Sequence, residues 1–166
     1  MEVKCLVVGS LETNCYLVIK NNECIIIDPG DDAKEIINEC KNYNVLEIIV
    51  THHHFDHIGA LKEIEEYFNL EHNTFKYKNL FGYDIIKTPG HTDDSISIYF
   101  KSENLLFSGD LIFKNGVGRY DFFNSNYHDL KKSLELISSF PEITKIYPGH
   151  GPITTLKSEK PNFIYY

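Results

Sequence analysis

A chain of 166 residues, 42% hydrophobic and 24% charged, has the size and make-up of one globular domain with a real core. A formal net charge of −8 leaves no basic surface to neutralise phosphates and excludes a nucleic-acid partner. No apolar run nears a membrane span and Met1-Glu2-Val3-Lys4-Cys5 lacks a signal-peptide pattern, so the expected setting is cytoplasmic, without membrane contact.

The first strands are expected at Val3 to Val8 and Tyr16 to Ile19. Asn21-Asn22 reads as a two-residue hairpin turn into Cys24-Ile25-Ile26-Ile27. Asp28-Pro29-Gly30 ends that strand, and Asp31 or Asp32 is placed to cap a helix whose Ala33, Ile36, Ile37 and Cys40 share one face. Cys5, Cys15, Cys24 and Cys40 show no paired ligand spacing and are expected as buried free thiols. After a strand from Glu47 to Val50 comes Thr51-His52-His53-His54-Phe55-Asp56-His57, then a helix with Leu61, Ile64 and Phe68 at core spacing. Residues 69–79 are polar and carry no clear pattern.

Short strands then recur. Tyr83 to Ile86 leads to Thr88-Pro89-Gly90-His91, and Ser95 to Phe100 alternates with Ile96, Ile98 and Phe100 on one face. Leu105-Leu106-Phe107 leads to Ser108-Gly109-Asp110. A last helix carries Tyr127, Leu130, Leu134 and Ile137, and the strand Lys145 to Tyr147 leads to Pro148-Gly149-His150-Gly151. Four times an apolar strand stops at a turn and presents His or Asp, the arrangement in which a rigid sheet edge builds a site on its loops. Helices between the strand groups imply two packed sheets with helices outside.

The candidates are His52, His54, Asp56, His57, His91, Asp110 and His150. His52 and His54 alternate and so point the same way in extended backbone, whereas His53 points away. Imidazole and carboxylate without thiolate suit zinc, iron or manganese. Seven ligands divide into two sites when one carboxylate bridges, and two ions about 3.5–4 Å apart can hold a hydroxide between them. Lowering the pKa of water from about 15.7 to about 7 is worth on the order of 12 kcal/mol, enough for hydrolysis without a side-chain nucleophile. No nucleophile elbow or phosphate-binding glycine loop is present.

The motifs Thr51 to His57, Pro89-Gly90-His91-Thr92, Ser108-Gly109-Asp110 and Pro148-Gly149-His150-Gly151 resemble, in this order, those of the metallo-β-lactamase superfamily. Gly118-Arg119-Tyr120-Asp121 and the stretch from Pro148 to Thr155 resemble its small glyoxalase II-like (hydroxyacylglutathione hydrolase-like) branch, and the likeness runs from about Asn14 to about Phe163. The resemblance implies a single α/β domain over residues 1–166, an αββα sandwich of two mixed sheets with helices on both outer faces. It assigns His52, His54 and His91 to one divalent ion and Asp56, His57 and His150 to the other. Asp110 would bridge, zinc being the first expectation and iron or manganese the others. Asp56 and Asp110 would be the catalytic carboxylates. Arg119 would bind a substrate carboxylate or pair with Asp121. The implied reaction is hydrolysis of a small-molecule thioester or related ester by a hydroxide held between the two ions.

Three departures bear on the substrate. The chain ends without the helical glutathione-binding domain of full-length glyoxalase II, the stretch before His91 is short, and Asp93-Asp94 replace a frequent Pro-Gly. A mononuclear-iron persulfide dioxygenase is the enzyme alternative, and a non-catalytic metal-binding domain is the alternative of another class. A true β-lactamase usually has Cys at the position of Asp110, and a flavodiiron module has Glu at that of His54.

Overall fold

Asn21 and Asn22 take φ values of 51° and 69°, the positive pair that a type I′ hairpin needs. They join β2 (Thr13–Lys20) to β3 (Glu23–Ile27), paired antiparallel. β1 (Glu2–Val8) lies antiparallel to β2, and β4 (Asn44–Ile49) lies parallel to β3. The order is β1-β2-β3-β4, and the parallel step is made through α1 (Ala33–Cys40). The computed structural model describes residues 1–166, which divide into two compact units, Met1–Phe81 and Gly82–Tyr166.

In the first unit β2 and β3 are buried on both faces, as their near-continuous apolar sequence requires. Ala33, Ile36 and Cys40 of α1 and Leu61 and Ile64 of α3 (Leu61–Phe68) join Leu17, Ile26 and Ile48 in one core. Asp32 stands at the N-cap of α1, but in left-handed conformation and without capping. Its carboxylate accepts instead from the Gly9 amide at 2.8 Å. Cys15, Cys24 and Cys40 are buried free thiols as expected, whereas Cys5 is exposed. Burial pushes the Cys15 thiol well above its ordinary range. After a short α2 (Phe55–Ile58) and α3, part of the unpatterned stretch lies beside β4. His72 bridges Ile48 in parallel, and the Asn73 side chain closes both backbone groups of Val50, from N at 2.9 Å and to O at 3.1 Å. The turn α4 (Lys78–Phe81) ends the unit.

The second unit holds a five-stranded sheet of order β11-β10-β7-β6-β5. Its strands are β5 (Asp84–Lys87), β6 (Ile96–Phe100), β7 (Leu105–Gly109), β10 (Lys145–Pro148) and β11 (Thr154–Thr155). β10 runs parallel to β7 and the other pairings are antiparallel, so β5, β7 and β10 all end at one edge. One face carries an aromatic row, Tyr83, Phe100, Phe107 and Tyr147, with successive centroids 5.6, 5.7 and 4.8 Å apart. α5 (Tyr127–Ser138) packs Leu130, Leu134 and Ile137 into a core with Leu106, Ile112 and Ile146. Tyr127, expected on that face, is exposed, and Ser133 takes the buried place, donating to the Pro89 carbonyl at 2.7 Å. The small hairpin β8 (Ile112–Phe113) and β9 (Gly116–Val117) gave no pattern in sequence. Nor is α5 the last helix, for α6 (Leu156–Glu159) and a 3-10 turn (Lys160–Tyr165) follow.

Candidate metal centre

In the first unit the parallel pair β3 and β4 ends at one edge, and the antiparallel β2 begins there. Asp28, just past β3, is buried and accepts three hydrogen bonds. They come from the Thr51 amide at 2.7 Å on Oδ1, and from Thr51 Oγ1 at 2.7 Å and His57 Nδ1 at 3.0 Å on Oδ2. A carboxylate that accepts from Nδ1 leaves the lone pair of a neutral His57 on Nε2. A hydroxyl has one proton, and Thr51 gives its own to Asp28. Its contact with His52 Nδ1 at 3.2 Å is therefore one it accepts, so His52 also carries its lone pair on Nε2. His52 Nε2 stands 3.1 Å from His54 Nδ1. Asp56 Oδ2 lies 3.6 Å from His57 Nε2 and accepts from Thr13 Oγ1, at the head of β2, at 3.0 Å. His53 turns outward, as its alternation requires.

In the second unit the three strand ends deliver His91, Asp110 and His150. Asp110 Oδ2 lies 3.5 Å from His91 Nε2 and 3.7 Å from His150 Nε2, one carboxylate oxygen facing two imidazoles. His91 Nδ1 donates to the Arg119 carbonyl at 2.8 Å, and a carbonyl only accepts, so the His91 lone pair too is on Nε2. The turn carrying His91 is fixed to α5, for the Asn126 amide donates to the Gly90 carbonyl at 2.8 Å.

Gly118 makes the Arg119 contact possible, because a Cβ there would overlap the Asp110 carbonyl oxygen and touch His91 Nδ1. Gly118→Ala is accordingly expected to cost about 1–3 kcal/mol of stability through overpacking. It should also lower bound metal, checked by thermal melts beside elemental analysis; an unchanged melt would mean the loop yields freely.

The Arg119 guanidinium is forked onto Asp121 at 2.9 Å through both Nε and Nη2. The guanidinium beside Asp121 holds that carboxyl below its usual range. Arg119 also lies 4.4 Å from the Phe122 ring centroid. The sequence points to this side chain and carries no sign of the backbone carbonyl beside it. Asp28 reads in sequence only as the end of a strand.

All these donors are imidazole nitrogens or carboxylate oxygens, and three rings have their far nitrogen anchored on an acceptor, the usual arrangement of histidines that hold a transition metal. By this chemistry the residues fit divalent metal ions.

The metallo-beta-lactamase superfamily model matches residues 8–72 and 79–150, and the chain belongs to that superfamily. A hydroxyacylglutathione hydrolase of Pelagibacter ubique is 34% identical, over 90% of this chain and 71% of the relative. Two crystal structures match in fold. The B3 metallo-beta-lactamase BLEG-1 gives a TM-score of 0.86 at 30% identity, over 95% of this chain and 96% of that one. TTHA1623 in a di-iron-bound form gives 0.85 at 30% identity, over 94% and 96%. The two mixed sheets and their helices are thus the metallo-β-lactamase fold read from the sequence motifs.

Proposed function

We propose that this protein hydrolyses small thioesters or related activated esters in the manner of glyoxalase II, with two divalent metal ions. It is a metallo-hydrolase of the metallo-β-lactamase superfamily. The observation that carries the reading is the fixed direction of the imidazole lone pairs at the strand ends, set by Asp28, Thr51 and the Arg119 carbonyl. His52, His54 and His91 would hold one ion and Asp56, His57 and His150 the other, with Asp110 the carboxylate that would serve both. When bound, the ions supply Lewis acidity to the carbonyl and lower the pKa of water. Zinc is the first choice, and the di-iron form of TTHA1623 makes iron the second.

The chain's own groups divide the remaining work. Asp56, steadied by Thr13, orients the attacking water and takes its proton. As oxygen bonds to the acyl carbon the carbon–sulfur bond breaks, and the leaving group departs as a thiolate. A cleft of about 200 Å³ opens beside Asp56, lined by apolar Val8, Leu11 and Phe55 and by polar Ser10, Thr13 and Asp31, and has room for a small acyl group. Cationic help for an anionic leaving group is scarce. Arg119 is already neutralised by Asp121, Asp93 and Asp94 are exposed, and the chain carries a net charge of −8.

A neutral small thioester should therefore show kcat/KM at least about tenfold above S-lactoylglutathione, a difference of about 1.4 kcal/mol in transition-state binding. Steady-state kinetics on both, with a β-lactam and glutathione persulfide in parallel, decides it. A preference for the glutathione conjugate overturns the substrate assignment. Oxygen uptake with the persulfide, or preferred opening of the β-lactam, overturns the reaction class.

A further inference from the structure

We propose that His53 and His72 form a separate surface site for a late first-row divalent transition ion such as zinc. The pair lies within the first unit, and neither residue belongs to the ligand set above. His53 follows β4 on the exposed side of the histidine loop, and His72 lies on the segment that bridges β4 at Ile48. Asn73 bonds Val50 in both directions, so the backbones carrying the two rings are tied to each other.

The rings meet through their Nε2 atoms, 3.5 Å apart, with centroids 5.6 Å apart and planes at 66°. That separation exceeds the about 2.7–3.2 Å of an ordinary N–H hydrogen bond. It is near the spacing of two nitrogens on one ion, for metal–nitrogen bonds of about 2.0–2.1 Å at a tetrahedral angle put them about 3.3–3.4 Å apart. Closing the difference needs a side-chain movement of only a few tenths of an ångström.

His72 is prepared for this role. Its Nδ1 lies 2.8 Å from Glu65 Oε1, and its own amide donates to the same oxygen at 2.9 Å. Nδ1 therefore carries the proton and Nε2 the lone pair, and the carboxylate behind the ring fixes its orientation. Glu66 and Glu71 stand close by in sequence and line the same polar hollow as Glu65, with Lys76 the one cation among them, so the hollow keeps a net negative charge that favours cations. Two imidazoles without thiolate suit zinc, copper or nickel, and the exposed position leaves room for water to complete the coordination.

The test uses tag-free protein saturated with zinc, freed of excess by gel filtration, and titrated with further zinc in a calorimeter. Wild type should take up one more, weaker equivalent. His53→Gln and His72→Gln should each lose it while keeping the tightly held zinc, and Glu65→Gln should weaken it about 10- to 100-fold. Imidazole nitrogen NMR on unsubstituted protein should show the His53 and His72 Nε2 signals shifting together during that titration. An extra equivalent that survives either histidine substitution, or the absence of one in wild type, overturns the site. Because the count starts from saturated protein, the outcome does not depend on how many ions the catalytic residues hold.

Discussion

Asp110→Ala is expected to lower kcat about a thousandfold or more at saturating metal, and to cost more than His57→Ala. Asp110 Oδ2 faces the Nε2 atoms of both His91 and His150, the two histidines of the second unit assigned to different ions. Losing a ligand shared by two ions forfeits part of the charge stabilisation of each, several kcal/mol together, and about 4 kcal/mol corresponds to a factor near a thousand. His57 serves one ion only. The measurement is kcat for both variants beside metal content by mass spectrometry. Equal losses at equal metal content would remove Asp110 from the bridging position.

Asp28→Asn should give a smaller but still large loss, about 10- to 100-fold, without replacing a proposed ligand. Asp28 lies in left-handed conformation, φ 53°, which asparagine also tolerates, so the backbone can persist. The amide has one acceptor oxygen where the carboxylate has two. If that oxygen keeps the Thr51 amide, the new NH2 faces the Thr51 hydroxyl and His57 Nδ1–H. The hydroxyl must then turn its proton elsewhere, and His57 shifts its own to Nε2, where the metal would sit. Metal affinity is expected to fall about 10- to 100-fold, with activity falling alongside it. Asp28→Ala should be worse in folding as well, since it leaves buried donors of Thr51 and His57 without their acceptor, each costing about 1–3 kcal/mol. Zinc titration against a competing chelator measures the first effect and chemical denaturation the second. Unchanged affinity in Asp28→Asn would mean that the ring directions are set by something else.

The residues legible in the sequence were those whose signals are local. Asn21-Asn22 announced a type I′ turn by composition alone, and the structure has that turn. Apolar runs ending in His or Asp marked the strand ends at His52, His91, Asp110 and His150, and strands or their immediate turns do end there. Asp28 was not legible because its partners, Thr51 and His57, reach it only through the parallel pairing of β3 with β4. Within Asp28-Pro29-Gly30 it reads as a turn residue. An acidic residue at the end of a strand that pairs with the ligand-bearing strand is the sign to look for. The Arg119 carbonyl leaves no trace in side-chain chemistry. Asn73 looked like loop composition, yet its side chain completes the edge of a sheet. Tyr127 fitted the helical period of α5, but it sits in the first turn, next to the Asn126 cap, where the chain is still at the surface.

The parallel pairing of β7 with β10 also sets an order of events during folding. Leu105 pairs with Lys145, so the strands can join only after the hairpin of β8 and β9 and the whole of α5 have crossed between them. Parallel pairings of such sequence separation are slow to form, because loop-closure entropy is lost before the contacts that offset it are made. Asp110 and His150 come together on the far side of that step. A nascent chain can thus assemble its histidine loop early, from β3 and β4, and place His91 and Asp110 on the run of β5, β6 and β7, while His150 waits for the last long-range strand to arrive.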